Sequence, residues 1–286
     1  MPYLKPMNIT VLGAGQMGAG IAQVFATHGH PVTLLDLSPA ALERGRAAIA
    51  DSLDRLVRKE RLSAEERAAT LGRIRDATDL AAAAATAELV VEAATEDTDL
   101  KLRLFADLDR HAPPGCLLAT NTSSISITRL AAATGRPADV IGMHFMNPVP
   151  VMKLVEVIRG HSTSDATTAT VLALAEALGK TPVEVNDYPG FVANRILMPM
   201  INEAIHTLWE GVGTAEAIDT VMRLGMAHPM GPLQLADYIG LDTCLAILEV
   251  MYAGFRRPHY APCPLLVNMV RAGKLGRKSG EGFYRY

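Results

Sequence analysis

Cysteine is scarce in this chain of 286 residues. The three present, Cys116, Cys244 and Cys263, form no CxxC pair and have no His or Cys beside them at zinc-ligand spacing. A disulfide framework and a zinc module are therefore excluded, and reduced structural thiols remain as the reading. An excess of one charge is also lacking. Twenty-seven Lys and Arg stand against 30 Asp and Glu, a formal net charge of −3 with the signs mixed along the chain, which is not the basic footprint of a nucleic-acid binder. No apolar run reaches the length of a membrane span. Met1 to Asn8 is too short and polar for a signal peptide. Tandem repeats and low-complexity tracts are missing, although Ala81 to Ala85 is compositionally thin. These absences point to a soluble, cytoplasmic protein with no metal, nucleic-acid or membrane partner. The apolar share of 49% is enough for real cores, and the length suits one large or two ordinary domains.

The first half of the chain alternates between two periodicities. Met7 to Leu12 reads as a buried strand, Gly13-Ala14-Gly15 breaks it, Ala19 to Thr27 is helical, and Val32 to Asp36 is a second strand. This is the βαβ unit of a parallel sheet. Pro39 to about Leu71 is rich in Ala, Arg, Glu and Leu at helical spacing and reads as a charged helical hairpin, with Ser63 capping its second helix. Strands then recur at Leu89–Glu92, Leu117–Thr120, Val140–Phe145, Lys153–Ile158 and Pro182–Val185. Helices separate them at Asp99–His111, Ile127–Ala133 and Asp165–Leu178. After Tyr188-Pro189-Gly190 only helices remain, at Val192–Trp209, Ala215–Leu224, Pro232–Met251 and Leu265–Ala272. The expected architecture is α/β: a Rossmann-type doubly wound parallel sheet with a helical hairpin insertion over residues 1–187, and an all-α domain over residues 188–286.

Gly13-Ala14-Gly15-Gln16-Met17-Gly18 is a G-x-G-x-x-G motif. Alone it is a weak signal, but here it follows a strand, opens a helix, and is followed by Asp36 at the end of the next strand, as a dinucleotide fingerprint requires. Gly13 makes the tight turn, Gly15 admits the pyrophosphate, and Gly18 lets helix and strand pack closely. The helix N-terminus offers free N–H groups to the phosphates. A carboxylate at Asp36 accepts from both ribose hydroxyls of NAD but repels the 2′-phosphate of NADP, and Leu37, Ser38 and Pro39 supply no arginine to hold that phosphate. NAD is therefore the expected cofactor.

A nicotinamide dehydrogenase needs a base that works near neutral pH, and histidine is the usual choice. Of eight histidines, His144 stands out because it lies near the end of a strand, where ligands of open α/β sheets collect. The next strand carries Glu156 in the apolar run Leu154-Val155-Glu156-Val157-Ile158, where an acid is costly unless paired. Pairing would orient the imidazole and raise its basicity. A purely structural pair would leave the same pattern.

The residues also carry a family resemblance. Asn121-Thr122-Ser123-Ser124, the run His144-Phe145-Met146-Asn147-Pro148 through Glu156, Asp187 through Arg195, His228-Pro229-Met230-Gly231-Pro232 and Gly276 through Tyr284 occur in order and at family spacing. The chain resembles the 3-hydroxyacyl-CoA dehydrogenases, in particular the short-chain, stand-alone type acting on 3-hydroxybutyryl-CoA. The resemblance implies reversible oxidation of a (3S)-3-hydroxyacyl-CoA to the 3-ketoacyl-CoA with NAD. It makes His144 the general base and Glu156 its orienting partner, and puts Ser123 and Asn194 on the substrate's 3-oxygen and thioester carbonyl region. Ser123, Asn147, Glu96 and Lys101 would lie at the nicotinamide side of the cofactor site, joined by Lys278 from the tail. Ser52 and Lys59 would receive the CoA moiety, and a homodimer would form through the helical domain. Simpler roles stay open: Ser123 could cap a helix beginning near Ser126, Asn194 could cap a helix after Pro189-Gly190, and Lys59 belongs to a charge run. Two other functions also remain, a dehydrogenase of a free hydroxy acid or sugar acid on the same architecture and a catalytically silent NAD-binding protein.

Overall fold

The computed structural model describes residues 5–286, so the signal-peptide reading of Met1 to Asn8 lies in part outside the described residues. The chain divides into two compact units, one running to Asp187 and the other from Tyr188 to Tyr286.

In the first unit β1 (Ile9–Leu12) is buried at all four positions and ends at Gly13. Strand β2 (Val32–Leu35), again fully buried, follows α1 (Gln16–Thr27). The charged hairpin forms from α2 (Pro39–Arg58) and α3 (Ala64–Gly72). Ser38 caps α2, with Pro39 in the first turn where no N–H is needed. In α3, Ser63 Oγ accepts from the Glu66 N–H while Glu66 accepts from the Ser63 N–H, a reciprocal capping box. Helix α2 buries Leu42, Gly45, Ile49 and Leu53, one face at three- and four-residue spacing, and leaves its charged residues to solvent.

The chain continues through β3 (Ile74–Ala77), α4 (Leu80–Ala84), β4 (Leu89–Glu92), α5 (Thr98–His111), β5 (Leu117–Thr120), α6 (Ile127–Ala131), β6 (Val140–Phe145), β7 (Leu154–Arg159), α7 (Asp165–Ala177) and β8 (Thr181–Asn186). Neither β3 nor α4 is visible in the sequence pattern. Only Ile74 of β3 is buried, because the strand lies at the sheet edge and carries little hydrophobic signal.

The eight strands form one sheet in the order β3-β2-β1-β4-β5-β6-β7-β8. Pairing is parallel from β3 to β6, antiparallel between β6 and β7, and parallel again between β7 and β8. The order 3-2-1-4-5-6 is that of a doubly wound dinucleotide-binding sheet, which reverses direction between β1 and β4. Ligands of such sheets settle outside the carboxyl ends of the strands at that reversal.

The second unit contains α8 (Ala193–Trp209), α9 (Ala215–Gly225), α10 (Pro232–Ile239), α11 (Leu241–Phe255) and α12 (Pro264–Arg271). The sequence pattern suggests a single helix over Pro232–Met251. The structure instead bends by 97° at Gly240, whose φ of +104° is open to glycine but not to a side chain. Leu233, Ala236, Leu241, Cys244 and Leu248 from the two pieces are buried in the unit's core. Among the described residues no single helix is long and apolar enough to cross a membrane.

Two buried aspartates fix the tail of this unit. Asp219 accepts from the Leu233 and Gln234 N–H groups and from the Tyr284 hydroxyl. Asp237 accepts from the Phe283 and Tyr284 N–H groups, and burial pushes its carboxyl above the usual range. The closing run Gly280-Glu281-Gly282-Phe283-Tyr284 therefore has a structural reason: a Cβ on Gly282 would stand 2.0 Å from an Asp237 oxygen.

Candidate active site

The turn after β1 is built for close packing. Gly13 takes φ +104°, its N–H donates to the Leu35 carbonyl at 2.7 Å, and a Cβ there would meet the Ala93 carbonyl at 2.6 Å. A Cβ on Gly18 would lie 1.8 Å from the Gly13 carbonyl oxygen. Gly15 is different, because a Cβ there would have nothing within 4 Å. The motif is thus packed at both ends and open in the middle, where α1 begins with Gly15 as its N-cap and no side chain capping the first turn. An anionic group approaching Gly15 would meet free N–H groups and the positive end of the helix.

Asp36 stands beside this turn. Its Oδ2 accepts from the Ala14 N–H at 2.9 Å and its Oδ1 from the Ser38 N–H at 2.9 Å. Each carboxylate oxygen has further lone-pair capacity, so the group can still accept two ribose hydroxyls. Gln16 donates to Asn147 Oδ1 at 3.2 Å, which joins the glycine loop to the segment after β6. Behind this junction lies a cavity of about 450 Å³ whose lining includes Gln16, Gly45, Ser52, Arg55, Asn147 and Pro148. Ser52 is therefore gathered with the cofactor loop, whereas Lys59 is the exposed C-cap residue of α2.

The placing of His144 follows from strand register. In the antiparallel β6–β7 pair His144 lies directly opposite Glu156, so both side chains stand on one face. Both are buried, and His144 Nδ1 is 2.9 Å from Glu156 Oε2. An ionised carboxylate can only accept, so the Nδ1 proton belongs to this bond and Nε2 is left with its lone pair. At that second nitrogen stands Ser123 Oγ, 3.0 Å away, which in this tautomer is the donor. Ser123 does not cap α6, because Ser126 does so through the Arg129 N–H.

The loop carrying Ser123 is held by Glu96, which the resemblance puts at the nicotinamide side, and by residues to which the sequence reading gave no role. Glu96 Oε1 accepts from Thr122 Oγ1 at 2.5 Å, from the Ser123 and Ser124 N–H groups at 3.0 and 3.1 Å, and from Ser124 Oγ at 3.0 Å. Asn121 Oδ1 accepts from the Phe145 N–H at 2.8 Å and ties the end of β5 to the end of β6. Lys101 is buried beside Glu92, the last residue of β4. An ionisable residue ending the apolar run Leu89-Val90-Val91-Glu92 is the same signal that marks Glu156, and it could have singled out Glu92.

Two of the expected site residues belong to the second unit. Asn194 is buried in the first turn of α8, whose N-cap is Val192, so Asn194 is not the capping residue. Lys278 is paired with Asp242.

The comparisons with known proteins agree along the whole length. Residues 8–188 match the model of the 3-hydroxyacyl-CoA dehydrogenase NAD-binding domain, and residues 190–286 match that of the 3-hydroxyacyl-CoA dehydrogenase C-terminal domain. A probable 3-hydroxybutyryl-CoA dehydrogenase of Deinococcus radiodurans is 57% identical over 280 residues, covering 98% of this chain and all of that one. A 3-hydroxybutyryl-CoA dehydrogenase of Bradyrhizobium diazoefficiens is 52% identical, covering 98% and 95%. Among solved structures, (S)-3-hydroxybutyryl-CoA dehydrogenase PaaH1 from Ralstonia eutropha superposes with a TM-score of 0.94 at 52% identity, covering 99% of each chain.

Proposed function

The chain belongs to the 3-hydroxyacyl-CoA dehydrogenase family, and on that premise we propose that it catalyses the reversible, NAD-dependent oxidation of a short-chain (3S)-3-hydroxyacyl-CoA to the 3-ketoacyl-CoA. The observation that carries this reading is His144, with a carboxylate on Nδ1 and a serine hydroxyl on Nε2.

In the oxidative direction Nε2 of His144 takes the substrate's hydroxyl proton, and in the reductive direction the imidazolium returns it. Glu156 holds the ring in the tautomer that leaves Nε2 unprotonated and stabilises the imidazolium once it forms. With substrate in place the Ser123 hydroxyl turns from Nε2 to donate to the 3-oxygen, and Asn194 contacts the thioester carbonyl region, so charge on oxygen is met as it develops. When bound, the nicotinamide supplies the hydride acceptor for oxidation and the hydride donor for reduction. Gly13, Ala14, Gly15, Gln16, Met17 and Gly18 cradle the cofactor's pyrophosphate, and Asp36 takes its adenosine ribose. Glu96, Lys101, Asn147 and Lys278 serve the nicotinamide side, while Ser52 and Lys59 receive the CoA moiety. We place the enzyme in the cytoplasm, as a homodimer through its helical unit, serving short-chain acyl-CoA steps such as those of fatty-acid degradation.

The test is the loss of NADH absorbance with acetoacetyl-CoA, run beside NADPH and beside free acetoacetate. Turnover that requires both NADH and the thioester is the expected result. Turnover of the free acid with no gain from CoA would move the activity to a hydroxy-acid dehydrogenase, and silence with every substrate would leave only a nucleotide-binding protein.

A further inference from the structure

Glu92 ends β4 with its side chain fully buried. One of its oxygens accepts from the Ala94 N–H and from Lys101 Nζ, each at 2.6 Å, and the other accepts from Thr120 Oγ1 at 2.7 Å. Lys101 is equally enclosed. Its ammonium faces three oxygens: Glu92 Oε1, the Ala94 carbonyl at 3.3 Å and Glu96 Oε2 at 3.4 Å. Two of its three N–H donors are taken by the Glu92 and Ala94 oxygens, and its charge is shared with Glu96. Lys101 acts on the serine loop through what it holds.

What it holds is Glu96. The oxygen of Glu96 turned away from Lys101 takes four donors from Thr122, Ser123 and Ser124. From Ser123 one further hydrogen bond reaches His144 Nε2. Glu92 meets the same loop by a second route, since the Thr120 hydroxyl that donates to it accepts from the Thr122 N–H at 3.2 Å. An ion pair buried this deeply is a poor stabiliser compared with apolar side chains of the same volume, so geometry is the better account of its presence. With Glu92 in place the ammonium is neutralised on its buried side, and Glu96 need not close onto it. Glu96 keeps its other oxygen for the serine loop.

We infer that Glu92 is a positioning residue of the dehydrogenase site: through Lys101 it sets the Glu96 carboxylate, and through Glu96 it sets Ser123 against His144. The inference rests on the reading of His144 as the base.

The test centres on the double variant Glu92→Gln/Lys101→Met, which buries no lone charge, with the two single variants beside it. Melting temperature, NADH fluorescence titration, and kcat and KM for acetoacetyl-CoA are measured for each. The double variant is expected to fold, to bind NADH, and to lose about ten- to a hundredfold in kcat, with KM changed by less than about threefold, as a displaced loop near the chemistry would produce. The Lys101→Met variant should lose as much as the double, because the two residues act in series. A double variant with kcat within about threefold of wild type overturns the inference. So does one that does not fold, which would make the pair structural, and so does a loss that falls on KM alone. An inactive wild type overturns this inference and the dehydrogenase reading together, whereas an active wild type beside an unimpaired double variant overturns this one alone.

Discussion

At the scale of single residues the chemistry depends on which nitrogen of His144 carries the proton. Replacing His144 by Gln removes the base, so kcat should fall by about 10²–10⁴-fold while NADH affinity is kept. Near-normal turnover would remove His144 from the chemistry. Glu156→Gln is the sharper probe, because it keeps the shape and changes the proton. A carboxylate compels Nδ1 to donate, whereas an amide can turn its NH₂ toward Nδ1 and leave the proton on Nε2, the atom that must accept. A loss of kcat of about 10²-fold or more at nearly constant KM is expected, and unchanged kcat would make the pair structural. Asp36 permits a separate test, since its oxygens hold the Ala14 and Ser38 N–H groups and can still accept two ribose hydroxyls. Asp36→Ser should weaken NADH binding by about tenfold or more and raise the NADPH-to-NADH preference ratio, because it removes both acceptors and the repulsive charge. An unmoved ratio would place cofactor selection elsewhere.

At the scale of elements the glycine turn distinguishes packing from binding. Gly18→Ala forces a methyl to within 1.8 Å of the Gly13 carbonyl oxygen, so β1, the turn and α1 cannot keep their positions. Stability should fall by about 3 kcal/mol or more, the upper range for overpacking, read as a drop in melting temperature. Gly15→Ala meets nothing in the protein and should fold normally. Its methyl points where a pyrophosphate would approach, so NADH affinity should fall roughly tenfold or more with the melting temperature unmoved. The opposite pattern would place the phosphates elsewhere. The same turn shows why part of the fold was legible in sequence. A strand, a glycine motif, a helix and an acid at fixed spacing are local signals, and so are the Ser38 and Ser63 caps. Strand β3 was hidden because an edge strand with one buried residue has no hydrophobic alternation to read. The break at Gly240 was hidden because the periodicity runs unchanged through both helices and only a backbone angle divides them. The His144–Glu156 pair was legible as an acid in an apolar strand near a histidine. The loop beneath Ser123 was not, because Glu92, Glu96 and Asn121 converge only when β4, β5 and β6 are laid side by side.

At the scale of the whole molecule the proposed homodimer is argued from the surface of the helical unit. Apolar side chains stand in the open there: Leu224 is 76% exposed, Val212 75%, Ile196 68%, Met226 61%, Val221 60% and Trp209 54%. Helix α9 supplies Val221 and Leu224 while its other face buries Ala215 and Asp219, so it is committed to the unit's own core on one side only. Beside it lies a cavity of about 450 Å³ lined mainly by apolar residues, among them Met200, Ala204, Val212, Ile218 and Val221, with Glu203 and Thr207 as its polar members. Single exposed apolar residues are ordinary, but Val212 and Val221 both line this hollow, and exposed apolar side chains around an apolar hollow are what a subunit contact would cover. The uncomplexed enzyme should therefore scatter light with twice the protomer mass at micromolar concentration. Val221→Lys/Leu224→Arg should return it to the protomer mass with the melting temperature of the Rossmann-type unit little changed, because charges buried without partners cost more than the association gains. A wild-type protein that remains monomeric at high concentration would defeat the dimer reading, and a doubly charged variant that still dimerises would move the interface off α9.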